Sequence, residues 1–183
     1  SATYVRSIVN SVLVATIGAA IGTFFILVIA LVARRSDFRH NRALEYIALF
    51  PRSLPGIIAG LGFFYAVIWL PGADVIRGTI LVLILAFMIR YIPVGFGAIA
   101  PALAQVGEEL DRGARISGAD WWTTVTRIIV PILKPALFSC YALLFIHFFK
   151  EYVTAAFLYQ PGSEIIGTTM LQLVAQGDNG PVS

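Results

Sequence analysis

Apolar residues occur along this chain in long unbroken blocks, not in the narrow stripe of a helix with one wet face. The first block, Ser7 to Ala33, carries no charge. As a helix rising ~1.5 Å per residue it reaches about 40 Å, enough to cross a bilayer with tilt. It is too long for a signal-peptide core, and no cleavage site follows it. A second block, Leu54 to Leu70, follows the mostly apolar Ala43 to Phe50. A third runs from Thr79 to Ala100 with only Arg90 inside it, and a fourth from Ala136 to Tyr159 with Lys150 and Glu151 inside. None alternates as the strands of an outer-membrane barrel would, and a backbone in hydrocarbon must satisfy its own hydrogen bonds. The pattern therefore predicts an all-α polytopic membrane helix bundle with four transmembrane helices.

The polar positions between the blocks give a direction. RRSDFRHNR after the first span, Arg52 at the entry to the second, and Arg112, Arg115, Arg127 and Lys134 between the third and fourth all fall on one side. The other side holds Arg6 and Arg77. The excess of Lys and Arg on cytoplasmic loops places Ser1 outside an inner membrane. The segment of residues 160–183 is then extracytoplasmic. A short helix is expected there over Ile165 to Ala175, between Pro161-Gly162 and Gly177-Asp178-Asn179-Gly180-Pro181.

Composition narrows the function classes. The chain of 183 residues is 58% hydrophobic and 13% charged, against about 25% charged in soluble domains. Its mean hydropathy is +0.85. A disordered tail and an ordinary soluble globule are excluded. A net charge of +3 is too small and too dispersed for a nucleic-acid surface, so the bilayer is the first partner. Cys140, alone, forms no internal disulfide and reads as a small core residue. No internal repeat or low-complexity segment is visible. The start at Ser1 and the polar Gly-Pro-Val-Ser end read as those of a fragment, a single membrane domain over residues 1–183.

The most informative stretch is the cytoplasmic loop over residues 101–135, containing GEELDRGARISGADWWTTVTRIIVPILKPAL. Glu108 to Ser117 reads as a helix with acids in its first turn, where the helix dipole favours them. Gly118 suits a left-handed terminator. Asp120 is a plausible N-cap for a second helix to Val130, and Pro131 and Pro135 are expected to break or kink the chain at the membrane entry.

These residues resemble the EAA loop of the inner-membrane permeases of binding-protein-dependent ABC importers. That motif reads Glu-Ala-Ala, three residues, Gly, nine residues, Ile, one residue, an apolar residue and Pro. Gly118, Ile128, Val130 and Pro131 stand at its spacing, and Ala114 at its second alanine. Arg112 stands where the family has Glu and Gly113 at the first alanine, with Asp111 one position early. PRSLPGIIAGLGFF resembles the entry to the family's next core helix, and HFFKEYVTAAFLYQPGSEIIGTTMLQLV the ferric-iron subgroup. The resemblance implies a five-helix core whose fifth helix would follow Ser183, often fused to a second core. It implies partners: ABC ATPase subunits, an extracytoplasmic substrate-binding protein and a second permease core, fused or as a homodimer or heterodimer.

No Walker A sequence is present, so ATP hydrolysis is expected in a partner and this chain is not read as an enzyme. No bound cofactor is expected. The coupling contact would use Asp111, Arg112, Gly113, Ala114, Ile116, Gly118, Ala119, Asp120, Trp121, Trp122 and Pro131, with Ile116, Ala119 and the tryptophans as apolar anchors. The bland alternative is a solvated loop with tryptophans at headgroup level. Charges inside spans cost at least ~2.5–3.5 kcal/mol at a helix centre. Arg90, Lys150 and Glu151 therefore mark a translocation path, with His147, Gly60 and Phe63, or an internal ion pair, and the bland alternative is that they snorkel. His147 and Glu151 share a face, but two ligands are not a metal site, and none is assigned. Gly18 with Gly22, and Gly56 with Gly60, permit close helix approach. Ferric iron is the cargo the resemblance suggests. The rival readings are a passive channel, a membrane-embedded enzyme, and a structural membrane subunit without ATPase coupling.

Overall fold

The computed structural model of the protein describes residues 2–35 and 39–175. Helix α1, Ala2–Arg35, overruns the charge-free block at both ends. Arg34 and Arg35 sit in its last turn, where cations meet the free carbonyls. After α1 come α2, Asn41–Leu49, a 3-10 turn at Phe50–Ser53, and α3, Gly56–Trp69. A 3-10 turn at Ala73–Val75 leads to α4, Ile80–Gln105, whose N-cap Thr79 accepts a hydrogen bond from the Leu81 N–H. Next are α5, Glu108–Ile116, and α6, Trp121–Thr124, which runs through a π-helical turn, Val125–Ile129, into α7, Val130–Lys150. Two short helices, α8 at Ala155–Leu158 and α9 at Ile166–Ala175, complete the described chain.

The core is a three-helix bundle of α1, α4 and α7. Val14, Ile26, Leu83, Phe87, Ile99, Leu144 and Phe148 are shut inside it. Small residues set the spacing. A Cβ at Gly18 would lie 2.8 Å from the Phe148 ring, and one at Gly22 3.1 Å from Leu144. Phe148 in turn meets Phe87 edge-on at 5.6 Å. The outer faces keep exposed Ile, Val and Phe, as lipid contact requires.

Three helices are long and apolar enough to span a membrane: Ala2–Arg35, Ile80–Gln105 and Trp121–Lys150. The expected second span is a broken one. Asn41–Ser53 and Gly56–Trp69 meet at 111°, and only together do they make a fourth span. At the break, Pro51 opens the 3-10 turn, Arg52 and Ser53 interrupt the apolar run, and Leu54 takes the extended geometry favoured before Pro55, which ends one helix and starts the next.

The fourth span also differs from expectation, at both ends. It does not start at Ala136 after a break at Pro131 and Pro135, for the helix is continuous from Trp121. The π turn widens the backbone just before Pro131, with the Val130 N–H bonded to the Val125 carbonyl. This eases the clash that the proline ring would make with a regular α turn. At the far end the helix stops at Lys150, not at Tyr159, because Glu151 turns into extended geometry.

The two ends of the bundle are tied separately. At one end, Arg6 on α1 pairs with Glu164 at 3.1 Å, and Asn10 donates to the carbonyls of Gly162 and Glu164. The Ser11 hydroxyl accepts from the Ile166 N–H at the start of α9. At the other end, Arg35 donates to the carbonyls of Leu103 and Val106 where α4 finishes. The start of α1 therefore shares an end with α9, and its finish shares the opposite end with α5, as alternating spans require. The expected outer helix is present as Ile166–Ala175. The glycine-rich segment expected after it, and Asp37, lie outside the described residues.

Candidate functional site

Two regions gather the polar and unusual residues. The first is the elbow between α4 and α7. Helix α5 ends in a left-handed residue, Gly118, with φ +81. The Ala119 N–H reaches back to the Ala114 carbonyl at 2.9 Å, closing the turn in the pattern that left-handed glycine caps produce. Two residues on, Asp120 caps the next helix by accepting from the Thr123 N–H at 3.1 Å. Hydrogen bonds from Thr123, side chain and backbone, hold the Asp120 carboxyl below its ordinary range. Stop and start signals thus stand almost side by side, and a sharp corner results.

The corner presents apolar side chains outward. Ile116 is 88% exposed, Trp122 65% and Trp121 44%. The two indoles lie 6.2 Å apart. Ala119 is half-buried, Ala114 is buried beneath the corner, and Arg112, Gly113 and Pro131 are exposed. Asp111 lies on α5, with its side chain outside the described set. A cleft of about 530 Å³, bordered by Gln105, Gly107, Leu110, Ile132 and Ser139, separates α5 from the rod.

The second region lies between α4, α7 and α8. Arg90 on α4 pairs with Glu151 at 3.4 Å and donates to the Thr154 hydroxyl. Glu151 is 5% exposed and also accepts from the Tyr91 hydroxyl and, at 2.8 Å, from the Thr154 N–H. Its carboxylate is therefore occupied on both oxygens. This explains the end of α7: the chain turns at Glu151 so that the side chain can cap the start of α8 and neutralise Arg90. Arg90 and Glu151 thus form an internal ion pair, while Lys150 is exposed at the helix end. His147 lies against the Tyr91 ring at 4.8 Å. Among the described residues no three His, Cys, Asp or Glu side chains converge as metal ligands.

Helix α3 is seated on this cluster by its glycines. A Cβ at Gly56 would fall 2.3 Å from the Arg90 guanidinium. Gly60 is buried against Phe157 and Thr154, so it serves helix packing and does not face open space. Phe63, half-buried, lines a shallow cleft with Gly62 and Arg90. The sequence offers an internal pair among Arg90, Lys150 and Glu151 and close helix approach at Gly56, but not the parts of Tyr91 and Thr154 or the seating of Gly56 on Arg90.

The family model for the binding-protein-dependent transport system inner membrane component matches residues 22–180. The chain belongs to that family. It is thus a multi-pass membrane component of a transport system. Its relatives include a putative ferric transport system permease protein FbpB 1 of Haemophilus influenzae, 32% identical over 133 residues, covering 73% of this chain and 21% of the relative. Ferric transport system permease protein FbpB of Actinobacillus pleuropneumoniae is 28% identical over 174 residues, covering 95% and 25%. Sulfate transport system permease protein CysT of Escherichia coli is 28% identical over 144 residues, covering 73% and 51%. The chain thus spans about a fifth to a quarter of the ferric permeases' length. In fold it matches a bacterial ABC transporter involved in the import of the acidic polysaccharide alginate, with a TM-score of 0.77, 17% identity, and coverage of 98% of this chain and 70% of that one.

Proposed function

We propose that this chain is one core of an ABC importer permease, of the type that carries ferric iron, and that the corner at Gly118 is its contact with the ATPase. The observation that carries the reading is the pairing of exposed Ile116 and Trp122 with a rigid mount. Apolar side chains held outward on a capped corner are suited to a partner's groove, and such anchors supply most of an interface's energy. The corner opens directly into the continuous Trp121–Lys150 rod, so a displacement of the docked corner becomes a displacement of a spanning helix. The excess of Arg around α2, α5 and α6 supports a cytoplasmic position for this end and an outer one for the start of α1, where the segment of residues 160–183 would meet the substrate-binding protein. A second core, fused or separate, completes the path, and the cycle is alternating access driven by ATP.

The test is co-purification of the ATPase subunit with the full-length permease. Ile116→Ser together with Trp122→Ser should cost the interface at least tenfold in ATPase retention while leaving membrane insertion intact, since neither side chain is packed in the bundle. Full retention in that variant overturns the docking assignment and favours a subunit without ATPase coupling.

A further inference from the structure

The broken second span leaves a physical problem, and its solution points to the charge of the cargo. Arg90 lies about 15 Å along α4 from Ile80, at ~1.5 Å per residue, so it is near the middle of that span. Gly56 rests on it, so the break between α2 and α3 lies near the same depth. Yet Arg52, Ser53, Leu54 and Pro55 are exposed there. Irregular backbone at that depth is tolerated only against protein or beside a water-filled cavity. Next to the break is a cleft of about 410 Å³, lined by residues that include Arg52, Arg90, Tyr91, Val94 and Gly97. Its charged lining is wholly basic among the described residues. Glu151 does not line it, but it is paired with Arg90, so the charge that faces the opening is that of Arg52.

We infer that this cleft is an aqueous vestibule whose positive potential selects cargo of net negative charge. Glu151 neutralises Arg90, so it is the field of Arg52 that low-dielectric walls focus into the opening, which raises the local concentration of anions and repels cations. The inference rests on the permease reading and specifies its substrate class. A bare trivalent metal ion would be excluded at this point. The admitted chemistry is a set of anionic oxygens, belonging either to a free oxyanion or to a metal ion enclosed by anionic ligands.

The experiment uses the full-length permease assembled with its ATPase in proteoliposomes, with every native cysteine replaced, Cys140→Ala among them, and Gly97→Cys added. A side chain at position 97 meets nothing within 4 Å, so the probe cysteine fits. Its reaction rate is measured with an anionic sulfonatoethyl and a cationic trimethylammonioethyl methanethiosulfonate, each normalised to a free thiol. The anionic reagent should be favoured on the order of five- to tenfold. Arg52→Gln should lower that preference severalfold, and Arg52→Lys should keep it. A normalised ratio of one or less, or a ratio indifferent to Arg52→Gln, overturns the proposal. In the same vesicles with the substrate-binding protein, a drop in ATP-driven sulfate or phosphate uptake on Arg52→Gln identifies a free oxyanion. A drop in uptake of iron supplied as ferric citrate identifies a ligand-wrapped metal. An uptake unchanged by Arg52→Gln overturns the selection role. Absence of any ATP-driven uptake by the unaltered protein counts against the importer reading instead, and leaves the reagent ratio to judge the vestibule.

Discussion

At the scale of single residues, Glu151 carries the heaviest structural duty. It ends α7, caps α8 and neutralises Arg90 within one buried carboxylate. Removing one partner of a buried pair typically costs about 3–5 kcal/mol, because the other charge stays unpaired, whereas removing both is far milder. Glu151→Ala should therefore lower the thermal midpoint of the purified permease strongly, and Arg90→Gln with Glu151→Gln should recover most of the loss. A double variant as unstable as the single one would show that charge pairing is not what holds the corner. Glu164 makes a second residue-level prediction, at the other end. Burial pushes its carboxyl up, but hydrogen bonds from its own N–H and that of Gly162, with the Arg6 guanidinium, outweigh this and hold it below its ordinary value of 4.5. An acid with a depressed folded value contributes stability above its unfolded value and loses it as pH falls through the folded one. The tie between α1 and α9 should thus weaken only in acid below about 4.5, and Glu164→Gln should remove that part of the pH dependence of thermal unfolding.

At the scale of elements, the elbow is the part whose geometry was most readable. Gly118 as terminator and Asp120 as cap are local signals, each decided within a few residues, and both are present as read. Gly118 is also where a substitution should act most sharply. Its φ of +81 is left-handed, which costs a side-chain-bearing residue roughly 1–2 kcal/mol. Gly118→Leu should re-angle α5 and uncouple ATP hydrolysis from uptake in reconstituted vesicles, with insertion preserved. Normal coupling in that variant would mean the corner's angle is irrelevant to transport. The apolar blocks were equally legible, because length and lack of charge suffice to mark a span. What escaped was set by distant partners. The end of α7 depends on Arg90 and Tyr91, and Tyr91 lies 60 residues from Glu151 in sequence. The bend before α3 falls at Pro51-Arg52-Ser53-Leu54-Pro55, where two prolines and a charge mark an interruption but not the angle at which the two helices meet. The continuity of the rod through Pro131 rests on a π turn, which no residue type announces.

At the scale of the whole molecule, that rod connects the two regions of interest. It starts at the Asp120 cap beside the exposed corner and ends at Glu151, which holds Arg90 and, through Thr154 and Phe157, the seat of α3. A force on the corner therefore reaches the broken span through one stiff helix rather than through a chain of loops. Stiffness is the testable property. Phe138 and Ser139 are exposed on the middle of α7, so replacing both removes little packing. As glycines they would soften the helix locally, at about 1 kcal/mol each. The Phe138→Gly, Ser139→Gly variant should bind the ATPase as before and hydrolyse ATP, yet import severalfold less per ATP hydrolysed, because bending absorbs part of the stroke. An unchanged ratio of uptake to hydrolysis would mean that motion reaches α3 by another route, of which the contacts of α2 with α1 and α4 are the alternative the fold provides.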